Sequence, residues 1–167
     1  MSEKQSRSWH RPEIFLLLLS FAVPLSFAGW QALLNNFAIE QAAFTGREIG
    51  ILQSLREIPG FLAFGVVFLL LLFREQTLII LALLLLGIGT ALTGFFPSII
   101  GLYLTTVLLS IGFHYYEAIQ TSLAQQWVKK ERAAETFGKL LAFGAAAAIV
   151  AFVLIWLGTA LFALDYR

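Results

Sequence analysis

REQTLIILALLLLGIGTALTGFFPS, Arg74–Ser98, opens the longest stretch of the chain without Asp, Glu, Lys or Arg. From Gln76 to Phe96 it is apolar almost without interruption, and no Asp, Glu, Lys or Arg occurs between Glu75 and Glu117. A helix needs about 20 apolar residues to cross the ~30 Å hydrocarbon layer of a bilayer. Inside lipid every backbone amide must be paired within the protein, so a span is a helix or part of a closed barrel. The run is continuous rather than alternating, so a helix is the reading. Arg74-Glu75 before it and Pro97-Ser98 after it are too short to be more than turns, which makes the neighbouring spans antiparallel to it.

Working outward, further apolar runs occupy 46–73, 97–127, 13–35 and 137–164. Thr45-Gly46-Arg47-Glu48 reads as a capping box at the start of the 46–73 span, the Thr hydroxyl and Glu carboxylate satisfying free amides. Composition agrees: 59% of the 167 residues are hydrophobic, only 13% are charged, and the mean hydropathy is +0.84. A soluble domain carries roughly 25% charged residues. The predicted fold is therefore an all-α integral membrane bundle of five helices, residues 13–164. Residues 1–12 form a polar tail before it, and 165–167 an outer-side end where the chain reads as truncated. A secretory signal over residues 1–28, with Ser26-Phe27-Ala28 as a small-residue cleavage site, competes for the first run. The apolar stretch continues through Trp30-Gln31-Ala32-Leu33-Leu34, which suits a span better.

Several chemistries are excluded. There is no cysteine, hence no disulfide, thiolate metal site or cysteine nucleophile. The two histidines and ten acids show no metal-ligand spacing, and no phosphate-binding glycine loop or nucleophile elbow occurs. Basic residues form no stripe for nucleic acid. No catalytic residue, cofactor or metal is expected, and the chain does not read as an enzyme.

Cytoplasmic loops collect Lys and Arg. With the N-terminus inside, Lys4, Arg7, Arg11, Arg74, Lys129, Lys130, Arg132 and Lys139 fall on the inner side. Arg47 and Arg167 fall outside and Arg56 within a span, which accounts for all 11. The expected location is a plasma membrane, read as a bacterial inner membrane, with the N-terminus inside.

Three stretches resemble the major facilitator superfamily of secondary transporters. Phe44-Thr45-Gly46-Arg47-Glu48-Ile49-Gly50-Ile51-Leu52-Gln53-Ser54-Leu55 is similar to that family's passage from the first outer loop into helix two. Ser122-Leu123-Ala124-Gln125-Gln126-Trp127-Val128-Lys129-Lys130-Glu131-Arg132 resembles its Trp followed by a charged inner loop. Ala134-Glu135-Thr136-Phe137-Gly138 leading into Gly144–Ala148 resembles helix five. There are departures. The loop between helices two and three, Phe68 to Gln76, keeps only Arg74 of the expected basic cluster, and Thr106 stands where an Arg is common in helix four. The resemblance implies about twelve helices in two similar halves with the solute between them. The chain is thus expected to be an N-terminal fragment of a divergent member, the missing C-terminal half lying in the same or another chain. The partners implied are the lipid bilayer and a small solute.

Polar groups deep in a membrane are costly and usually face a cavity or a partner helix. Tyr103, Thr106, Ser110, His114, Glu117 and Thr121 share one face of the fourth span. They read either as a solute-facing stripe or as a polar seam between packed helices, with hydroxyls bonding their own backbone. Glu117 lies ten residues from Trp127, roughly 15 Å and near the midplane. A carboxyl there that gains and loses a proton is what proton-coupled transport requires, with His114 one turn away as a relay. Of Tyr115 and Tyr116, which point to different sides, one lines the cavity and one packs.

Arg56 and Glu57, toward the outer end of the second span, form either an interfacial ion pair or a solute contact. Gln31, Asn35 and Asn36 either coordinate a polar solute or mark where the first helix leaves the bilayer. Pro24 and Pro59 bend their helices. Gly144 and Ala148 form a small-xxx-small packing pair. Trp9, Trp30, Trp127 and Trp156 read as interface anchors. The functional expectation is a secondary active transporter moving a small solute by alternating access, coupled to protons through Glu117. The alternative is a non-transporting interaction or assembly subunit built from the same helices.

Overall fold

The computed structural model describes residues 12–162, and all regular structure among them is helical. Lys4, Arg7, Trp9, Arg11 and Arg167 lie outside the described residues. Five helical segments are long and apolar enough to cross a membrane: Pro12–Ala42, Gly46–Leu70, Glu75–Thr93, Ile99–Trp127 and Lys130–Leu161. The elements are α1 (Pro12–Ala42), α2 (Gly46–Phe61), α3 (Val66–Leu70), α4 (Glu75–Thr93), α5 (Ile99–Trp127) and α6 (Ala133–Phe162).

Helix boundaries follow local chemistry. α1 runs on to Ala42, past the expected end at Asn35, because Phe37-Ala38-Ile39-Glu40-Gln41-Ala42 contains nothing that stops a helix. It ends where Ala43 takes φ 53°, a left-handed conformation that turns the chain so that the Phe44 amide donates to Ala38 O at 3.1 Å. The capping box then opens α2: the Thr45 amide donates to Glu48 Oε2 at 3.0 Å, and the Arg47 amide donates to Thr45 Oγ1 at 3.3 Å. Ser98 caps α5 by accepting from the Gly101 amide at 3.1 Å. The second span is broken. Pro59 has no amide to donate, and the chain passes through a 3₁₀ turn, Leu62–Gly65, before α3 resumes.

The core centres on α5. α4 and α2 pack directly against it, and α1 joins it to α6. Leu102, Leu109, Ile119 and Leu123 of α5 are fully buried at helical spacing. Helices this apolar would gain little by hydrophobic burial within a bilayer, where close backbone approach is the adhesion that counts. Gly89 and Gly112 provide it. A Cβ on Gly89 would lie 2.6 Å from Leu109 N, and one on Gly112 would lie 2.6 Å from Ala82 O. Each glycine therefore seats the other helix's backbone.

Polar ties fix the register. Buried Trp30 donates from Nε1 to Thr93 Oγ1 at 3.0 Å, joining α1 to α4. This corrects the reading of Trp30 as an interface anchor: it is 7% exposed and belongs to the core, whereas Trp156 is open. Glu75 accepts from Ser122 Oγ at 2.7 Å and from Gln126 Nε2 at 2.8 and 3.0 Å, so the first residue of α4 holds the last turns of α5. Arg132 Nη1 reaches Glu13 Oε1 at 3.3 Å, tying the start of α6 to that of α1.

α6 packs on α1 through Leu140, Gly144, Ala147 and Ala151, all on one face. The close-packing positions are thus Ala147 and Ala151 more than the expected partner Ala148.

Candidate functional site

α1, α5 and α6 do not close on one another along their whole length. Between them lies a groove of about 810 Å³, open along one side. α1 contributes Ser20, Pro24, Phe27 and Gln31; α5 contributes Phe113, Tyr116, Glu117, Gln120 and Thr121; α6 contributes Phe137, Gly144, Ala145, Ala148 and Phe152. The wall is mostly apolar, with a short polar strip on α5. Gln120 Nε2 donates to Ser20 Oγ at 2.7 Å, bracing α5 against α1 within the groove.

Glu117 is the one charged side chain of the groove lining. Its side chain is 54% exposed, and among the described residues the only basic group within 4.0 Å is His114, whose Nδ1 lies 3.8 Å from Oε2. That is beyond hydrogen-bond length, so the carboxylate remains open to the groove.

His114 faces a second, smaller space of about 180 Å³ shared with Arg56, Glu57 and Ser110. Gly60 makes room for it by having no side chain: a Cβ there would lie 3.0 Å from His114 Cε1. Arg56 is neutralised by its neighbour, Nε and Nη2 donating to Glu57 Oε1 at 3.0 and 2.8 Å, while Nη1 is buried without a partner among the described residues. Ser110 donates to Arg56 O. Phe27 and Phe113 line both spaces. Their rings stack at 4.0 Å and 12°, forming the wall between them.

The polar stripe of α5 therefore divides. Its N-terminal part faces α2: Tyr103 OH donates to Glu48 O at 3.3 Å and Ser110 to Arg56 O, while Thr106 is buried with no partner for its hydroxyl among the described residues. Its C-terminal part, Glu117 and Thr121, lines the groove, and His114 stands at the division. Tyr115 packs, donating to Leu62 O at 3.4 Å in the 3₁₀ turn, and it is Tyr116 that lines the groove. Gln31 lies on the groove, while Asn35 Oδ1 accepts from Gln53 Nε2 at 3.4 Å and serves the α1–α2 contact. Arg56 and Glu57 are brought to His114 but not to the groove.

The contribution of α6 was missed in sequence, although Phe137, Gly144, Ala148 and Phe152 recur along it at spacings of seven, four and four. Small residues flanked by aromatics at helical spacing are the signal that points to a recess. Among the described residues no three His, Asp or Glu side chains gather as a metal ion would need. No family model, curated protein or solved structure matches this chain.

Proposed function

We propose that this chain is a multi-pass plasma-membrane protein whose α1–α5–α6 groove binds a small solute and carries it across the bilayer by alternating access. The observation that carries the reading is the placement of Glu117, with His114 at 3.8 Å as its basic neighbour, in a recess of about 810 Å³ at mid-length of three helices long and apolar enough to cross a membrane. Ligand pockets are concave, mostly apolar and hold a few placed polar groups, and a volume of about 300–1,000 Å³ is usual for them. An ionisable group at that depth is expensive and marks a solute or proton path. Proton coupling through Glu117, with His114 as its neighbour, belongs to the same proposal.

The positive-inside distribution supports an N-terminus on the cytoplasmic side. The resemblance to major facilitator transporters supports a second, similar half across the open side of the groove, supplied by the same or another chain.

A second reading rests on a different observation. Ala32, Gly144, Ala145 and Ala148 present small side chains along the groove, and small residues are where membrane helices approach closely. A helix of another protein seated there would make the chain an assembly subunit.

Native membrane vesicles, in which any partner half is present, separate the two. Uptake is followed over a panel of amines, carboxylates, sugars and nucleosides, with Glu117→Gln placed in the native gene. Transport predicts that one solute class accumulates in wild-type vesicles and not in the variant. Identical uptake of every class would refute it.

A further inference from the structure

The groove has a charge and a surface from which a ligand class can be read, granted that it binds a solute as proposed above. Its lining carries a carboxylate and no Lys or Arg. Arg56 pairs with Glu57 through Nε and Nη2 and lines the smaller space, not the groove. An anion entering the groove would meet Glu117 and find no Lys or Arg among the described lining residues to offset the repulsion. A neutral sugar-like solute would need many hydrogen-bond partners, and with Gln120 committed to Ser20 the lining offers only Gln31, Thr121 and the Tyr116 hydroxyl besides Glu117. The rest is apolar, with aromatic rings at Phe27, Phe113, Tyr116, Phe137 and Phe152. Aromatic faces attract cations as well as apolar bodies, within about 6 Å of the ring centre.

The geometry points to a monovalent organic cation with a bulky apolar or aromatic body: the positive end pairs with Glu117, and the body fills the recess between α1 and α6. The volume of about 810 Å³ suits a solute of drug-like size rather than a metal or ammonium ion.

Tetraphenylphosphonium and tetraphenylborate are matched in shape and opposite in charge, which makes them the probes. Equilibrium dialysis of the purified full chain in micelles measures both, and Glu117→Gln serves as the reference for partition into detergent. The expected result is that tetraphenylphosphonium binds the wild type and weakens by at least about tenfold in Glu117→Gln, while tetraphenylborate is indifferent to the change. Ala145→Lys, which places a positive charge in the groove from α6 and leaves Glu117 intact, lowers phosphonium binding by a similar factor. Monodisperse elution and unchanged helicity establish that both variants are folded; should Glu117→Gln not fold, Ala145→Lys carries the comparison alone.

Phosphonium binding that survives both variants, equal Glu117-dependent binding of the two probes, or no binding of either would overturn the inference. Failure of the transport reading is seen separately. Glu117-dependent uptake of an anion in native vesicles keeps transport and rejects the cation. Phosphonium binding without uptake of any solute keeps the cation site and rejects transport.

Discussion

Replacing Gly89 by alanine forces α4 away from α5. The added methyl would stand 2.6 Å from Leu109 N and 2.7 Å from Leu109 Cα, 0.8 and 0.7 Å short of the 3.4 Å at which ordinary contact begins. Both of those atoms are backbone of a helix that also carries α2 and α1, so neither can swing aside as a side-chain end would. The helices must separate by most of that distance. A gap of 0.5–1 Å forfeits about a quarter to a half of each dispersion contact it opens, and overpacking of this kind costs about 1–3 kcal/mol.

Gly87 is the internal control. It lies two residues away on the same helix, and a Cβ there would meet nothing within 4 Å. Gly87→Ala should be neutral or stabilising by up to about 1 kcal/mol through helix propensity. Reversible unfolding in mixed micelles, followed by Trp fluorescence, measures the two side by side. Gly112→Ala should match Gly89→Ala, and the double variant should cost less than the sum, because one separation relieves both clashes. Equal stability of the Gly87 and Gly89 variants would refute the packing argument.

Other consequences follow from single contacts. Trp30→Phe and Thr93→Val each remove the buried Nε1–Oγ1 bond; each should cost about 1 kcal/mol in the same unfolding assay, and combined they should cost less than the sum. Thr45→Ala removes the α2 cap and should cost about 1 kcal/mol, visible as faster amide exchange over residues 46–49. Glu75→Ala releases Ser122 and Gln126, and amide exchange at the end of α5 should rise with little change at its start. The chain has no cysteine, so single cysteines report sidedness without background. One at Gln41 should react with an impermeant maleimide in intact cells, and one at Lys129 only after permeabilisation; the reverse pattern would invert the topology.

The five long apolar helices were legible because their sequence runs are so poor in charge, and the capping box because its residues interact within one turn. What escaped depends on which helices meet. Gly89 and Gly112 look like any glycines of a membrane helix until α4 and α5 are set in register. Trp30 has the composition of an interface anchor, and only its position opposite Thr93 makes it a core donor. The α5 stripe was visible as a face, but a sequence does not say that α2 covers one half of that face and leaves the other open. Tyr115 and Tyr116 could be separated only by knowing that the second span passes through a 3₁₀ turn at Leu62–Gly65 and brings the Leu62 carbonyl to Tyr115. Glu117 and His114 stood out because ionisable groups are so rare in these helices, whereas the α6 wall of the groove consists of residues common in any span.

Ala145 and Ile149 lie one turn apart on α6, both exposed, and only Ala145 lines the groove. Cysteine at each, challenged with a water-soluble maleimide in native membranes, tests whether the recess is a solute path. If the groove is a solute path, the residue-145 cysteine reacts readily and is protected by tetraphenylphosphonium, while the residue-149 cysteine, outside the groove, stays unreactive. Two equally unreactive cysteines would mean that the groove is filled by lipid or by another helix, and the account of it as a solute path would be wrong.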